Sequence, residues 1–77
     1  MPNDKTETTK KTFGQRLRNL REIAGLTQQE LANRSGIHYT AIAHFEAGRR
    51  KPDLTNLIIL INTLNVSADL LLGTKRS

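Results

Sequence analysis

The chain lacks cysteine and tryptophan altogether, and aromatic residues make up only 4% of its 77 residues. Without cysteine, a disulfide scaffold, a thiolate metal site and a cysteine nucleophile are all excluded. The longest apolar run, residues 57–61, is far shorter than the roughly 20 residues that cross a bilayer. The polar N-terminus also has no apolar stretch of the kind that a signal peptide needs. These absences predict a cytoplasmic protein with an aliphatic core and no membrane partner.

The length and the charge distribution predict one domain with two short polar ends. A chain of 77 residues has no room for a second domain, since single domains typically reach about 100–150 residues. The net charge is +5, but three of the five excess positive charges fall in residues 1–11 and 74–77. We therefore expect a flexible N-terminal arm at 1–11, a folded domain at 12–73 and a basic C-terminal tail at 74–77. The positive balance indicates a polyanionic partner.

Catalytic and metal-binding patterns are missing from the sequence. The two histidines, His38 and His44, lie about 240° apart on one predicted helix, so they cannot share a ligand directly. No third residue continues a metal-ligand spacing. A phosphate-binding glycine loop, a nucleophile elbow and a close carboxylate pair are absent as well. We expect no enzymatic activity, no metal, no cofactor and no small-molecule ligand.

Helix signals recur along the chain, and no stretch alternates as a strand does. Thr12 with Gln15 and Thr27 with Glu30 form two capping boxes, each of which marks a helix start. Gly36 interrupts the second helix after a short run, so a third helix follows across a tight turn. The predicted helices cover about residues 13–24, 28–35, 39–46 and 54–64, and a short fifth helix lies between Ser67 and Gly73.

Two helices carry residues that do not fit a simple one-faced pattern. Gly14, in the first turn of the first helix, is predicted to be a local weakness. The fourth helix is apolar on more than one side. Its predicted core face contains Leu54, Leu57, Leu60, Ile61 and Leu64. Ile59 lies nearly opposite that face and is therefore a candidate for a subunit contact, with Val66 and Leu72 as alternatives.

The third helix separates into an apolar side and a small, hydrogen-bonding side. At about 100° per residue, Ile42 and Phe45 lie with Ala41 on the side that faces the core. The opposite side carries Tyr39, Thr40, Ala43, His44 and Ala47. A face of small and polar side chains suits the major groove of DNA, which admits one helix and offers hydrogen-bonding base edges.

A set of motifs spread over about residues 12–72 carries a family resemblance. The motifs are Leu20-Arg21, the stretch from Gly25 to Ala32, Gly36-Ile37, Ile42, Glu46-Ala47-Gly48, Arg50, Pro52, Leu57, Leu60, Leu64-Asn65-Val66 and Asp69-Leu70-Leu71. As a set they resemble the phage-repressor-like (Cro/C1-type, XRE family) helix-turn-helix DNA-binding proteins. The resemblance implies an all-α, five-helix lambda-repressor-like DNA-binding domain that reads operator DNA as a two-fold dimer.

The resemblance also implies which residues of the third helix read bases. The implied base-reading residues are Tyr39, Thr40, Ala43 and His44. This face lacks arginine, glutamine and asparagine, whose paired hydrogen bonds discriminate bases most sharply. Part of the specificity is therefore expected to come from DNA shape. A second departure is His38, which stands where the family usually has a small hydroxyl residue at the helix cap.

Phosphate contacts are expected from the second helix and from the basic loop that follows the third helix. The expected phosphate-binding residues are Gln28, Asn33, Arg49, Arg50 and Lys51. Gln28 lies in the first turn of the second helix, where free amides attract anions, and the family uses this position on the DNA backbone. Arg16 and Arg18 are weaker candidates. The family pattern also pairs Arg21 with Glu46, which we expect to be a structural salt bridge between the first and third helices.

Two classes of function are compatible with these features. The first is a sequence-specific regulator of transcription that binds double-stranded DNA, acts as a homodimeric repressor and associates with the nucleoid. The second is a protein-interaction or antitoxin-type adaptor module with only weak DNA binding, which the uncharged base-reading face leaves open. Steep salt dependence with a preferred sequence favours the first class, and a tight protein partner with weak nonspecific DNA binding favours the second.

Overall fold

The computed structural model describes residues 11–73, which form five α-helices and contain no strand. The helices are α1 (Phe13–Ile23), α2 (Gln28–Ser35), α3 (Tyr39–Ala47), α4 (Leu54–Leu64) and α5 (Ala68–Leu72). The predicted all-α, five-helix class is therefore confirmed for this part of the chain. The predicted arm at 1–11, apart from Lys11, and the predicted tail at 74–77 lie outside the described residues.

Side-chain caps begin α1 and α2 where the sequence predicts them. The Thr12 hydroxyl accepts a hydrogen bond from the Gln15 amide at 3.1 Å, and the Gln15 side chain accepts one from the Thr12 amide at 3.0 Å. Thr27 and Glu30 repeat this arrangement at 3.0 and 2.8 Å. Each capping box satisfies two backbone amides that would otherwise lack a partner inside the helix. These local bonds determine where α1 and α2 begin.

The turn between α2 and α3 depends on Gly36, whose φ of 78° lies in the left-handed region. Glycine adopts this conformation without a Cβ clash. The Gly36 amide donates to the carbonyl of Ala32 at 2.9 Å and closes α2. Ile37 then enters the core before α3 starts. The two short helices are thereby held in contact, as a helix-turn-helix arrangement requires.

Two helix ends use residues that are less common at such positions. At the start of α3, Nδ1 of His38 accepts a hydrogen bond from the Thr40 amide at 3.1 Å. At the end of α4, Asn65 adopts a φ of 57°, and asparagine is the residue that most often replaces glycine there. The sequence interpretation gave Asn65 no such role.

Every helix contributes to one core. The large side chains that are completely buried are Leu17, Leu31, Ile42, Phe45, Leu60 and Leu71, and together they come from all five helices. An isolated helix as short as α2, with 8 residues, is marginal in water. Packing against the shared core is therefore what keeps α2 and α5 helical.

The predicted faces of α4 are partly wrong. Leu54, assigned to the core face, is 71% exposed, because it lies about 120° around the helix from the buried Leu60. Ile58, one turn after Leu54, is 48% exposed. Ile59, predicted to face outward, packs against the core instead, and so does Val66. The exposed apolar residues of α4 are therefore Leu54 and Ile58, which share one side of the helix.

Gly14 has a packing role that the sequence does not reveal. It is buried in the first turn of α1, where α1 meets the end of α3. A Cβ at this position would lie 2.5 Å from the carbonyl oxygen of Glu46 and 2.6 Å from that of Phe45. Both neighbours are backbone atoms, so neither can move aside without moving α3. Gly14 is therefore required for the close approach of the two helices.

We expect Gly14→Ala to destabilise the protein, although alanine is the better helix former by about 1 kcal/mol. The clash with the α3 backbone should outweigh that gain and leave a net loss of about 2 kcal/mol in the free energy of unfolding. Urea denaturation measures this loss. Asn19→Ala, on the exposed side of α1, is the matched control and should be neutral or slightly stabilising. Equal stability of Gly14→Ala and the wild type would contradict the packing role.

Candidate nucleic-acid interface

An ion pair between Arg21 and Glu46 joins α1 to the last turn of α3. Nε of Arg21 donates to Oε2 of Glu46 at 2.6 Å, and Nη2 donates to Oε1 at 3.1 Å. The third nitrogen, Nη1, donates to the carbonyl of Leu26 at 2.7 Å. The two side chains are only 10% and 5% exposed. The paired geometry and the burial make this a structural bond of the helix-turn-helix unit.

The charge of Arg21 does not change with pH near neutrality. The hydrogen bond that Arg21 donates to the Glu46 carboxylate raises the pKa of Arg21 further above its ordinary, strongly alkaline value. A raised pKa means that the stabilisation is complete below the pKa of the unfolded chain and is lost only as the pH rises through the folded value. Arg21 therefore stays charged throughout the neutral range.

Gln28 is a third member of this cluster. Its side-chain amide donates to Oε1 of Glu46 at 3.0 Å, so the first turn of α2 is tied to the end of α3. A glutamine amide carries two N–H groups, and this bond uses one of them. The bond orients the side chain that was expected to contact a phosphate. The sequence interpretation did not predict a link between Gln28 and Glu46.

The outward face of α3 has the composition that the helical wheel predicts. Tyr39 and Thr40 are exposed, and Ala43 and His44 are half-buried, while Ile42 and Phe45 lie in the core. The four outward residues are the ones expected to read bases. They form a face of small and hydrogen-bonding side chains with no acidic residue among them. Their contact with bases remains a prediction.

A basic loop, residues 49–51, follows the C-terminal end of α3. Arg49, Arg50 and Lys51 are all exposed, as phosphate-binding side chains must be. The Arg49 amide donates to the carbonyl of His44 at 2.9 Å, so the loop leaves α3 along a defined path. The guanidinium carbon of Arg50 lies 5.7 Å from the centre of the Phe45 ring, a cation–π distance. The loop therefore begins at the C-terminal end of α3, and Arg50 lies over the ring of the core-facing Phe45.

Two further phosphate candidates, Asn33 and Arg18, each bond to a side chain of their own helix. Asn33 is exposed on α2, and its Oδ1 accepts a hydrogen bond from the Gln29 side chain at 3.0 Å. Arg18 forms an exposed pair with Glu22 one turn away.

Arg16 holds α5 against α1 instead of facing outward as a free cation. Its guanidinium donates to the carbonyls of Leu71 and Leu72 at 2.9 and 3.0 Å, and also to the carbonyl of Lys11. These bonds satisfy carbonyl groups at the end of a helix, which have no partner inside it. Arg16 is therefore a structural residue, and its expected role as a weaker phosphate contact is not supported.

Other kinds of site find no support in the described part of the chain. Residues 11–73 contain no group of three or more histidine, aspartate or glutamate side chains that could hold a metal ion. Within the same range, the helices are too short and too polar to cross a membrane.

Comparison with known proteins identifies the family. A family model described as helix-turn-helix matches residues 17–71. Among curated proteins, an HTH-type transcriptional regulator of Bacillus subtilis, YobD, is 42% identical over 61 residues, which are 79% of this chain and 54% of YobD. The control protein C.SmaI of Serratia marcescens is 40% identical over 63 residues, which are 82% of this chain and 75% of C.SmaI.

A solved structure shares both fold and sequence with this chain. The restriction-modification controller protein C.AhdI from Aeromonas hydrophila superposes with a TM-score of 0.73 at 39% identity, over 77% of this chain and 89% of C.AhdI. The chain spans about half the length of the first curated relatives that it matches.

The chain belongs to the helix-turn-helix family, as the matched residues 17–71 and the identity to C.SmaI show. The resemblance to Cro/C1-type (XRE family) proteins that the motifs carry is thereby confirmed.

The ion pair of Arg21 and Glu46 should contribute far more stability than an exposed pair. We expect Glu46→Ala to lower the free energy of unfolding by about 3 kcal/mol, because it leaves the buried guanidinium without its carboxylate. Arg18→Ala removes the partner of Glu22 on the surface and should cost at most about 1 kcal/mol. Thermal or urea unfolding of both variants measures the difference. Similar losses in the two variants would show that Glu46 is an ordinary surface partner.

Proposed function

We propose that the protein is a sequence-specific regulator of transcription that binds double-stranded DNA. It acts as a homodimeric repressor that reads a two-fold operator through α3 in the major groove and works in the cytoplasm at the nucleoid. The observation that supports this most directly is the arrangement of α3. Its small, hydrogen-bonding face lies outward, and Glu46 in its last turn is bonded to Arg21 and Gln28, with the basic loop 49–51 following directly.

Phosphate contacts set the position of the protein on DNA in this proposal. Gln28 uses one amide N–H on Glu46 and offers the other to the DNA backbone at the start of α2. Arg49, Arg50 and Lys51 contact the backbone beside the C-terminal end of α3, and Asn33 is a further candidate on α2. These contacts give affinity and register, and they carry no base information directly.

Base reading follows from the side chains that the outward face presents. His44 donates to a guanine or accepts from an exocyclic amine, and Thr40 offers a hydroxyl and a methyl group. Ala43 is small enough to let the helix backbone approach the base edges. Tyr39, at the start of α3, reaches a base or the edge of the groove. Because only a few polar groups are available, the deformability of the operator supplies part of the specificity.

Dimer formation through α4 completes the proposal. A two-fold operator is read by two copies whose recognition helices lie about 34 Å apart, or a multiple of that distance. Leu54 and Ile58 are one turn apart, share one side of α4 and are 71% and 48% exposed. A second copy of the chain would bury both through a symmetric contact of the same residues. Occupation of the operator by the dimer would then block a promoter.

An adaptor function is the second candidate. None of the proposed base-reading residues is an arginine, a glutamine or an asparagine; they are Tyr39, Thr40, Ala43 and His44. This composition favours a module that binds a protein and contacts DNA weakly. Selection for DNA binding separates the two candidates.

The first test of the proposal is selection of binding sites from a random DNA library at two salt concentrations. We expect a two-fold symmetric site. His44→Ala should relax the preference at one base pair of each half-site, because it removes a base contact. Arg49→Ala should instead weaken all sequences evenly and reduce the salt dependence by about one counterion per subunit.

The selection also has a clear contrary outcome. If no site emerges, and the wild type and both variants bind every sequence alike, base reading by α3 is excluded. The adaptor function would then be the better account of the fold.

We expect Ile58→Glu to make the protein monomeric, because a symmetric contact would set two carboxylates against each other. Sedimentation velocity measures the change. Ile23→Glu is the matched control, since Ile23 is a 73% exposed apolar residue on α1 and undergoes the same substitution. That control should remain dimeric. A dimeric Ile58→Glu would rule out this side of α4 as the interface.

A further inference from the structure

One ring nitrogen of His38 accepts a hydrogen bond from the protein backbone. Nδ1 accepts a hydrogen bond from the Thr40 amide at 3.1 Å, and the side chain is exposed at the start of α3. A neutral imidazole has one acceptor nitrogen and one N–H donor. Since Nδ1 is the acceptor, the proton must lie on Nε2. The cap therefore determines the tautomer and leaves a fixed N–H donor on the exposed side of the ring.

The position of this donor relative to the base-reading face is defined by α3. His38 directly precedes Tyr39, the first residue of the helix, and the recognition helix of this motif contacts DNA with its N-terminal end. The two ring nitrogens diverge from each other, so the bond of Nδ1 to the first turn directs Nε2 away from the helix backbone. The donor belongs to an exposed side chain that comes directly before Tyr39, the first residue of the face that the proposed function assigns to the major groove.

We propose that His38 contacts a phosphate oxygen of the DNA backbone through Nε2–H while Nδ1 caps α3. This inference rests on the proposed function and adds a binding residue to it. A phosphate is the partner because His38 lies at the end of the helix, outside the set that points to base edges, and phosphates line the margin of the groove. One side chain thus links the start of α3 to the DNA backbone.

This role explains why a histidine occupies the cap. Serine, threonine, asparagine and aspartate are the favoured residues at a helix N-cap, so helix stability alone does not select histidine. A serine hydroxyl or an asparagine amide would satisfy the Thr40 amide equally well. Neither extends beyond the first turn as far as Nε2 of an imidazole does. The reach of the ring is what His38 adds to the cap.

The test compares His38→Asn and His38→Ser with the wild type on the selected operator. Both substitutions keep an acceptor for the Thr40 amide, so thermal stability should be maintained or raised. Operator affinity should fall by about tenfold in both, as expected for the loss of a hydrogen bond to a charged acceptor. Ser67→Asn exchanges one cap for another on α5 and is the matched control. It should leave operator affinity unchanged.

Two further readouts define the contact. The slope of log affinity against log salt concentration should match the wild type in both His38 variants, because a neutral donor displaces no counterion. Nitrogen-15 NMR of the free protein should show the proton of His38 on Nε2. Unchanged affinity in both variants, a slope reduced by about one, or a proton on Nδ1 would each overturn the inference. Failure of the wild type to bind any preferred sequence would instead overturn the proposed function.

Discussion

The carboxylate of Glu46 is the point on which the arrangement of the three N-terminal helices depends. It accepts two hydrogen bonds from Arg21 of α1 and one from Gln28 of α2, and it is itself part of the last turn of α3. Because these side chains are largely buried, the bonds operate where water competes weakly. Gly14 allows the α1 backbone to approach the carbonyls of Phe45 and Glu46 at the end of α3. The position of α3 is thus set by a polar cluster as well as by the core.

This cluster has a direct consequence for recognition. The outward face of α3 offers few polar groups. In the proposed function, its contribution to base reading therefore depends on its being held in one orientation. The same carboxylate that positions α3 also orients the Gln28 side chain. In the proposed function, phosphate binding at α2 and base reading at α3 would therefore be linked through Glu46. Preorganisation of this kind lowers the ordering cost of binding.

Features determined by neighbouring residues could be predicted from the sequence, and features determined by distant helices could not. The capping boxes at Thr12 and Thr27 depend on residues three positions apart, and both are present in the structure. The link between Gln28 and Glu46 and the exposure of Leu54 depend on how helices are spaced. The requirement for Gly14 is invisible locally, since helix propensity alone identifies it as a weakness.

The proposed function requires α3 to meet DNA as a preformed surface held by Glu46. Its most direct test is nitrogen-15 NMR of the labelled protein during titration with its selected operator. We expect the amide signals of residues 38–44 and 49–51 to shift strongly. The Nε–H signal of Arg21 should stay in place, because its bond to Glu46 persists on binding. Unshifted α3 amides, or a displaced Arg21 signal that reports a broken ion pair, would contradict this requirement.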